Sequence, residues 1–134
     1  MTIYDFTVRA GNSGTVPDGS GQGGNDLGIV LNLLVDGAPF DLTGQEVVFR
    51  VKLGETQVLR KTTASGITLA NGTDADGNTS AVPNKITIPI TVTESRTLES
   101  AGAPLTYDVE RRSGSVQRTI IAGNIFVEPG SNDD

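Results

Sequence analysis

The stretch Glu46–Lys52 reads EVVFRVK, and its alternation sets the fold class. Val47, Phe49 and Val51 fall on one side of an extended chain, and the charged Arg50 falls on the other. Side chains alternate between the two faces of a β-strand with a period of two. The stretch therefore predicts a strand with one face in a hydrophobic core, and the segment after it, 57–62, is its predicted hairpin partner.

Alternating apolar stretches bounded by turn residues recur on both sides of this strand. The predicted strands lie at 28–35, 46–52, 57–62, 67–69, 85–92, 105–110 and 116–127, and the last of them is expected to be interrupted at 123–124. About seven short strands at such spacing are typical of a sandwich. Pro89 cannot donate a ladder hydrogen bond, so it predicts that its strand is an edge strand or contains a bulge. A polar segment over 71–83 is predicted to be a loop.

One short helix is expected between the predicted strands at 85–92 and 105–110. Thr91 and Glu94 have the spacing of a capping box, which predicts a helical turn over 93–100 with Leu98 toward the core. Gly102 is expected to end it. We therefore predict an all-β, immunoglobulin-like antiparallel β-sandwich of about seven strands, with one short helical turn and an N-terminal extension.

The N-terminal residues differ in composition from the rest of the chain. A short β-like stretch that contains Ile3, Tyr4, Phe6 and Val8 precedes a segment, 11–28, with seven glycines in eighteen residues. Such a segment loses too much backbone freedom on folding to form a helix or a central strand. The predicted organisation is an N-terminal arm and Gly-rich loop at 1–26, a β-sandwich domain at 27–129 and a polar tail at 130–134.

The apolar residues of the arm are the candidate partner-binding residues. Ile3, Tyr4, Phe6 and Val8 could add a strand to the sheet of a neighbouring subunit, where backbone hydrogen bonds supply much of the affinity. They could equally form the first strand of their own sandwich. The sequence leaves both alternatives open.

Composition excludes several classes of function. The chain has 134 residues, no Cys and no His, which excludes disulfide scaffolds, Cys- or His-ligated metal sites and a Ser-His-Asp triad. The net charge of −6 is opposite to what nucleic acid or an anionic membrane attracts, so neither is an expected partner. No apolar run approaches the ~20 residues that span a bilayer, and the first nine residues lack the pattern of a signal peptide. We expect no cofactor and no enzymatic activity.

Three oxygen-bearing residues form a candidate calcium site. Asp74, Asp76 and Asn78 alternate as ligands do in calcium loops. The glycine of an EF-hand loop is displaced, however, and its distal glutamate is missing. A solvated turn is the favoured interpretation, and no metal is predicted.

The other charged residues are expected to be surface groups. Asp41 lies at a predicted turn, and Asp108 and Glu110 share the outward face of a strand, where carboxylates are usually solvated rather than catalytic. Arg111 and Arg112 fall in a predicted hairpin loop, where a basic pair is usually solvated or pins an acidic partner.

The order of these elements resembles a known type of phage protein. The likeness is carried by DGAPFDLTG at 36–44, VVFRVK at 47–52, ITIPI at 86–90, LTYDVE at 105–110 and IAGNIFV at 121–127. Together they are similar to the N-terminal immunoglobulin-like domain of phage baseplate upper proteins, and to small proteins of tailed phages and prophages with the same layout. The resemblance covers about a hundred residues and includes no catalytic motif.

The resemblance implies a structural virion protein of a tailed phage. It would be an assembly or adaptor module in the tail, baseplate or fibre attachment, assembled in the host cytoplasm. The implied partners are other virion proteins and copies of itself, as a homo-oligomer within a symmetric assembly. The alternatives are a capsid decoration or head-fibre protein, and a carbohydrate-binding or adhesin module. Sugar binding usually needs an aromatic platform, and the chain has two Tyr and no Trp.

Overall fold

The structure, a computed structural model, describes residues 2–3, 6–9 and 28–128. Within this part the chain is built from β-strands and one helix. The elements are β1 (Thr2–Ile3), β2 (Phe6–Arg9), β3 (Gly28–Asn32), β4 (Leu34–Val35), β5 (Ala38–Pro39), β6 (Glu46–Leu53), β7 (Thr56–Thr62), β8 (Thr68–Thr73), β9 (Thr79–Pro89), α1 (Val92–Ala101), β10 (Leu105–Ser113) and β11 (Val116–Glu128).

Two sheets and a short hairpin make up the fold. The larger sheet has the order β11-β10-β6-β7, with β1 and β2 both lying along the outer side of β11. The smaller sheet has the order β3-β9-β8, and β4 with β5 forms a separate hairpin. All strand pairs are antiparallel except those of β1 and β2 with β11.

The two sheets share one hydrophobic core, which confirms the predicted all-β, sandwich-like fold. Its fully buried side chains come from both sheets, from α1 and from two connections: Leu42, Val47, Phe49, Val51, Ile86, Ile88, Ile90, Leu98 and Val109. The rings of Phe49 and Tyr107 pack at 5.9 Å between centroids on adjacent strands. The alternation of EVVFRVK is therefore the alternation between core and outer face, although Val48 on the outer face is also buried.

The predicted helix is confirmed together with its cap. The side chain of Thr91 accepts a hydrogen bond from the Glu94 amide, and Glu94 Oε1 accepts one from the Thr91 amide. Leu98 is fully buried, and Gly102, with φ of 102°, ends the helix. That positive φ favours glycine, which carries no Cβ.

Of the two alternatives predicted for the strand of Pro89, the structure contradicts the edge strand and shows an irregularity elsewhere in the same strand. Its strand, β9, is the middle strand of the smaller sheet rather than an edge. The proline is tolerated because it is the last residue of β9, opposite Gly28, whereas the pairing with β8 has already ended at Thr87. The irregularity in this sheet lies at Asn71 instead, opposite Pro83.

The predicted polar loop over 71–83 is also wrong in extent. Strand β8 continues to Thr73 and β9 starts at Thr79, so the connection is only 74–78. Polar residues are acceptable in this hairpin because its outer positions are exposed. The predicted boundary between 26 and 27, most of the Gly-rich loop and the 130–134 tail lie outside the described residues.

Candidate interaction surface

The N-terminal strand lies beside β11 of its own chain. Ile3 is opposite Ala122, and Phe6 and Val8 are opposite Ile125 and Val127. The pairing is parallel and uses the side of β11 that faces away from β10. The backbones of three of the four candidate partner-binding residues are thus brought to one edge of the larger sheet, while Tyr4 lies outside the described residues.

Strand β11 is longer than the strand that covers it. It runs for 13 residues, and β1 and β2 pair only with positions 121–122 and 125–128. Among the described residues, no strand pairs with 116–120 on that side, and Val116 is 44% exposed. An uncovered strand edge presents backbone donors and acceptors to a further strand.

An apolar groove adjoins the same strand. Its volume is about 400 Å³, and it lies between the end of α1, the start of β10 and the end of β11. The lining residues are Glu99, Gly102, Ala103, Pro104, Leu105, Asn124, Ile125, Phe126 and Val127. We call it the Phe126 groove.

The alternation of β11 places an exposed aromatic ring in the Phe126 groove. Ile125 points into the core and is 3% exposed, so its neighbour Phe126 points outward and is 56% exposed. Leu105 pairs with Ile125, which brings Pro104, after the turn at Gly102, to the same place. Apolar walls with Glu99 and Asn124 at the lining suit an apolar side chain flanked by polar groups.

A row of charges crosses the outer face of the larger sheet. The Arg50 guanidinium donates to Asp108 Oδ1 at 3.1 Å and to Glu110 Oε2 at 2.9 Å, and Arg112 Nε donates to Glu110 Oε1 at 3.0 Å. Arg50 and Asp108 are directly opposite in the register of β6 and β10. The carboxylates face outward, as expected, but they are half-buried and paired rather than simply solvated. The row joins adjacent strands through opposite charges.

The prediction of a basic hairpin loop at Arg111 and Arg112 is wrong. Both residues belong to β10, and the turn that follows Ser113 is only two residues long. The Arg111 guanidinium lies 4.5 Å from the centre of the Phe40 ring, and its Nη1 donates to Gln45 Oε1 at 3.2 Å. Arg111 therefore fixes the connection before β6 onto β10, partly through a cation–π contact.

The candidate calcium residues form a hydrogen-bonded turn. Asp74 Oδ1 accepts hydrogen bonds from the amides of Asp76 and Asn78, each at 2.9 Å. The Asp74 amide in turn donates to the Asn78 carbonyl oxygen at 2.8 Å. The carboxylate thus stabilises the β8–β9 turn. In the part of the chain that the structure describes, no group of three or more acidic residues has a metal-binding arrangement.

One partly buried ion pair was not predicted from the sequence. Lys61 has a side chain that is only 6% exposed, and its Nζ donates to Glu94 Oε1 at 2.8 Å and to the Pro89 carbonyl at 2.6 Å. Burial raises the pKa of Glu94, but hydrogen bonds from Lys61 and Thr91 outweigh it and hold that pKa below its ordinary value. Lys61 shares the inward side of β7 with Leu59, and that spacing was the available signal.

The comparisons with known proteins assign no family to this chain. No family model matches it, and no curated protein matches it either. Of the five segments on which the expected resemblance to phage proteins rests, three are neighbours in the larger sheet: 47–52 lies in β6, 105–110 in β10 and 121–127 in β11. Over the described residues, no helix is long and apolar enough to cross a bilayer.

Proposed function

We propose that this chain is a structural protein of a tailed-phage virion, an assembly or adaptor module in the tail, baseplate or fibre attachment. The observation that carries the proposal is the contiguity of three of the five segments that resemble phage proteins. These three occupy β6, β10 and β11, which are adjacent strands of the larger sheet. Similarity that falls on adjacent strands is expected when two proteins have the same packed sheet, because adjacent strands constrain each other's side chains.

In this proposal the sandwich is a rigid frame and β11 is its contact side. The uncovered edge at 116–120, the Phe126 groove and the N-terminal strand all lie along β11. Exposed apolar surface beside a free strand edge is the usual chemistry of protein contacts. Copies would be arranged by the symmetry of the virion, with other virion proteins as further partners.

The ion-paired groups of the described residues fit a structural role better than a catalytic one. Arg50 and Arg112 hold the carboxylates of Asp108 and Glu110, and Lys61 holds Glu94. Such pairs join strands and fix the helix. A general acid or base instead needs a carboxylate that is free to reach a substrate.

Labelling of virions tests this proposal. Particles of the phage that encodes this chain are banded by density, probed with an antibody to the purified chain, and imaged by electron microscopy. We expect the chain to band with the particles and the label to lie on the tail or baseplate. Antibody pre-adsorbed with the purified chain is the control. Label on the head would replace the tail assignment by a capsid decoration or head-fibre protein, and absence from washed particles would contradict a virion role.

A further inference from the structure

We propose that the N-terminal strand, formed by β1 and β2, is exchanged between copies of this chain. In the assembly it pairs with β11 of a second copy, in the same parallel register that it has within one chain. The inference rests on the proposed function, because exchange requires that copies are held close together. It names the second copy as the occupant of the edge of β11.

The first support is the position of the strand in the sheet. Both β1 and β2 pair with β11 and with no other described strand. The strand is the outermost one on the β11 side of the larger sheet. Removing it therefore breaks no pairing inside the sandwich. It uncovers only the side of β11 from 121 to 128.

The second support is the length of the connection to the body. Residues 63–67 carry the chain from the larger sheet to the smaller one between β7 and β8, so five residues suffice for that crossing. The connection between β2 and β3 makes the same change of sheet with eighteen residues, 10–27, of which six are glycines. An extended chain of that length reaches up to roughly 60 Å, whereas packed sheets are only about 10 Å apart.

The third support is the balance of interactions. A second copy offers the same β11 edge, with the same backbone groups and the same Phe126 groove beside it. Exchange therefore replaces each hydrogen bond by an identical one, which makes it a route to association with a low cost in free energy. The strand of the same chain has an effective concentration in the mM range. At low concentration the N-terminal strand should therefore pair with β11 of its own chain, and at mM concentration it should also pair with β11 of a second copy.

Disulfide trapping between different chains tests the exchange. The sequence has no Cys, so introduced thiols are unambiguous. Thr7 is opposite Phe126 in the parallel pair. One chain carries Thr7→Cys and another, with a different tag, carries Phe126→Cys. The two are unfolded together, refolded at about 1 mM or about 10 μM, oxidised, and separated on a non-reducing denaturing gel.

The expected result is a mixed disulfide in about a quarter of the chains at the high concentration, falling about tenfold or more at the low one. Two controls define the signal. The doubly substituted chain should close within itself when dilute, which shows that the thiols meet. Thr119→Cys, an exposed position of β11 outside the register of β2, should replace Phe126→Cys without giving the product.

Two results overturn the inference. One is a double variant that closes while the mixed pair gives no more product at high concentration than the Thr119→Cys control. The other is a double variant that does not close, because the register itself would then be wrong. Neither result touches the presence of the chain in virions, which the labelling experiment measures separately, so the two proposals fail independently.

Discussion

The centre and the edge of the larger sheet are built on different principles. At the centre, β6 and β10 pair continuously over eight positions, with Phe49 buried on the inner face and Arg50 paired with Asp108 on the outer face. At the edge, β11 pairs in parallel with the short strands β1 and β2 and exposes Phe126. The centre is closed by packing and ion pairs, whereas the edge leaves an aromatic ring exposed. Under the proposed function, stability and contact are therefore separated in this molecule. The predictions below test that separation.

The largest effect is expected from removing a ring at the centre. Phe49→Ala should lower the free energy of unfolding by about 3–5 kcal/mol, because it empties a fully buried site. The matched variant at the edge, Phe126→Ala, should change it by no more than about 0.5 kcal/mol. Urea denaturation monitored by far-UV circular dichroism measures the free energy of unfolding of both variants. Equal losses in the two variants would show that the edge is part of the core.

The next effect concerns the ion pair that ties α1 to β7. Lys61→Met should destabilise the fold by about 1.5–3 kcal/mol, since Glu94 and the Pro89 carbonyl both lose a charged donor. Lys52→Met, on a half-buried lysine of the neighbouring strand, is the control and should stay within about 0.5 kcal/mol. An unchanged midpoint for Lys61→Met in urea would mean that the pair contributes nothing to the anchoring of the helix.

Contacts between distant elements could not be predicted from the sequence, whereas local features could. The alternation of EVVFRVK and the Thr91–Glu94 cap depend on residues within one element, and both predictions were confirmed. The pair of Lys61 with Glu94 depends on how β7 packs against α1. The contact of Arg111 with Phe40 depends on how the connection after β5 packs against β10. Such contacts join distant parts of the chain. They depend on strand register and on how the elements pack, which composition and local patterns do not specify.

The pairing at the β11 edge could not be predicted from the sequence either. The apolar pattern at 3–8 indicated a strand but not its partner, because backbone pairing at an edge is available to any strand. The structure places it on β11 of the same chain. The Phe126 groove was not predicted either, since it needs the turn at Gly102 to bring Pro104 beside β11.

A smaller effect is expected from acid. The pKa of Glu94 is lowered in the folded chain from its ordinary value of 4.5. A carboxyl with a depressed pKa contributes stability that is present above pH 4.5 and lost as the pH falls through its folded value. Glu94→Gln should therefore be less stable than the unchanged chain at pH 7, and the difference should shrink below pH 4.5. Urea midpoints at a series of pH values measure it, and a difference that grows toward acid would contradict the assigned sign.

The separation of fold and contact is tested most directly by deleting residues 1–10 and measuring thermal unfolding alongside assembly by analytical ultracentrifugation. The deletion removes β1 and β2 and leaves every other described strand paired. The account predicts a chain that still unfolds cooperatively and stays monomeric at concentrations where the full chain associates. A truncated chain that cannot fold would contradict it, because the N-terminal strand would then be a structural part of the sandwich rather than its contact element.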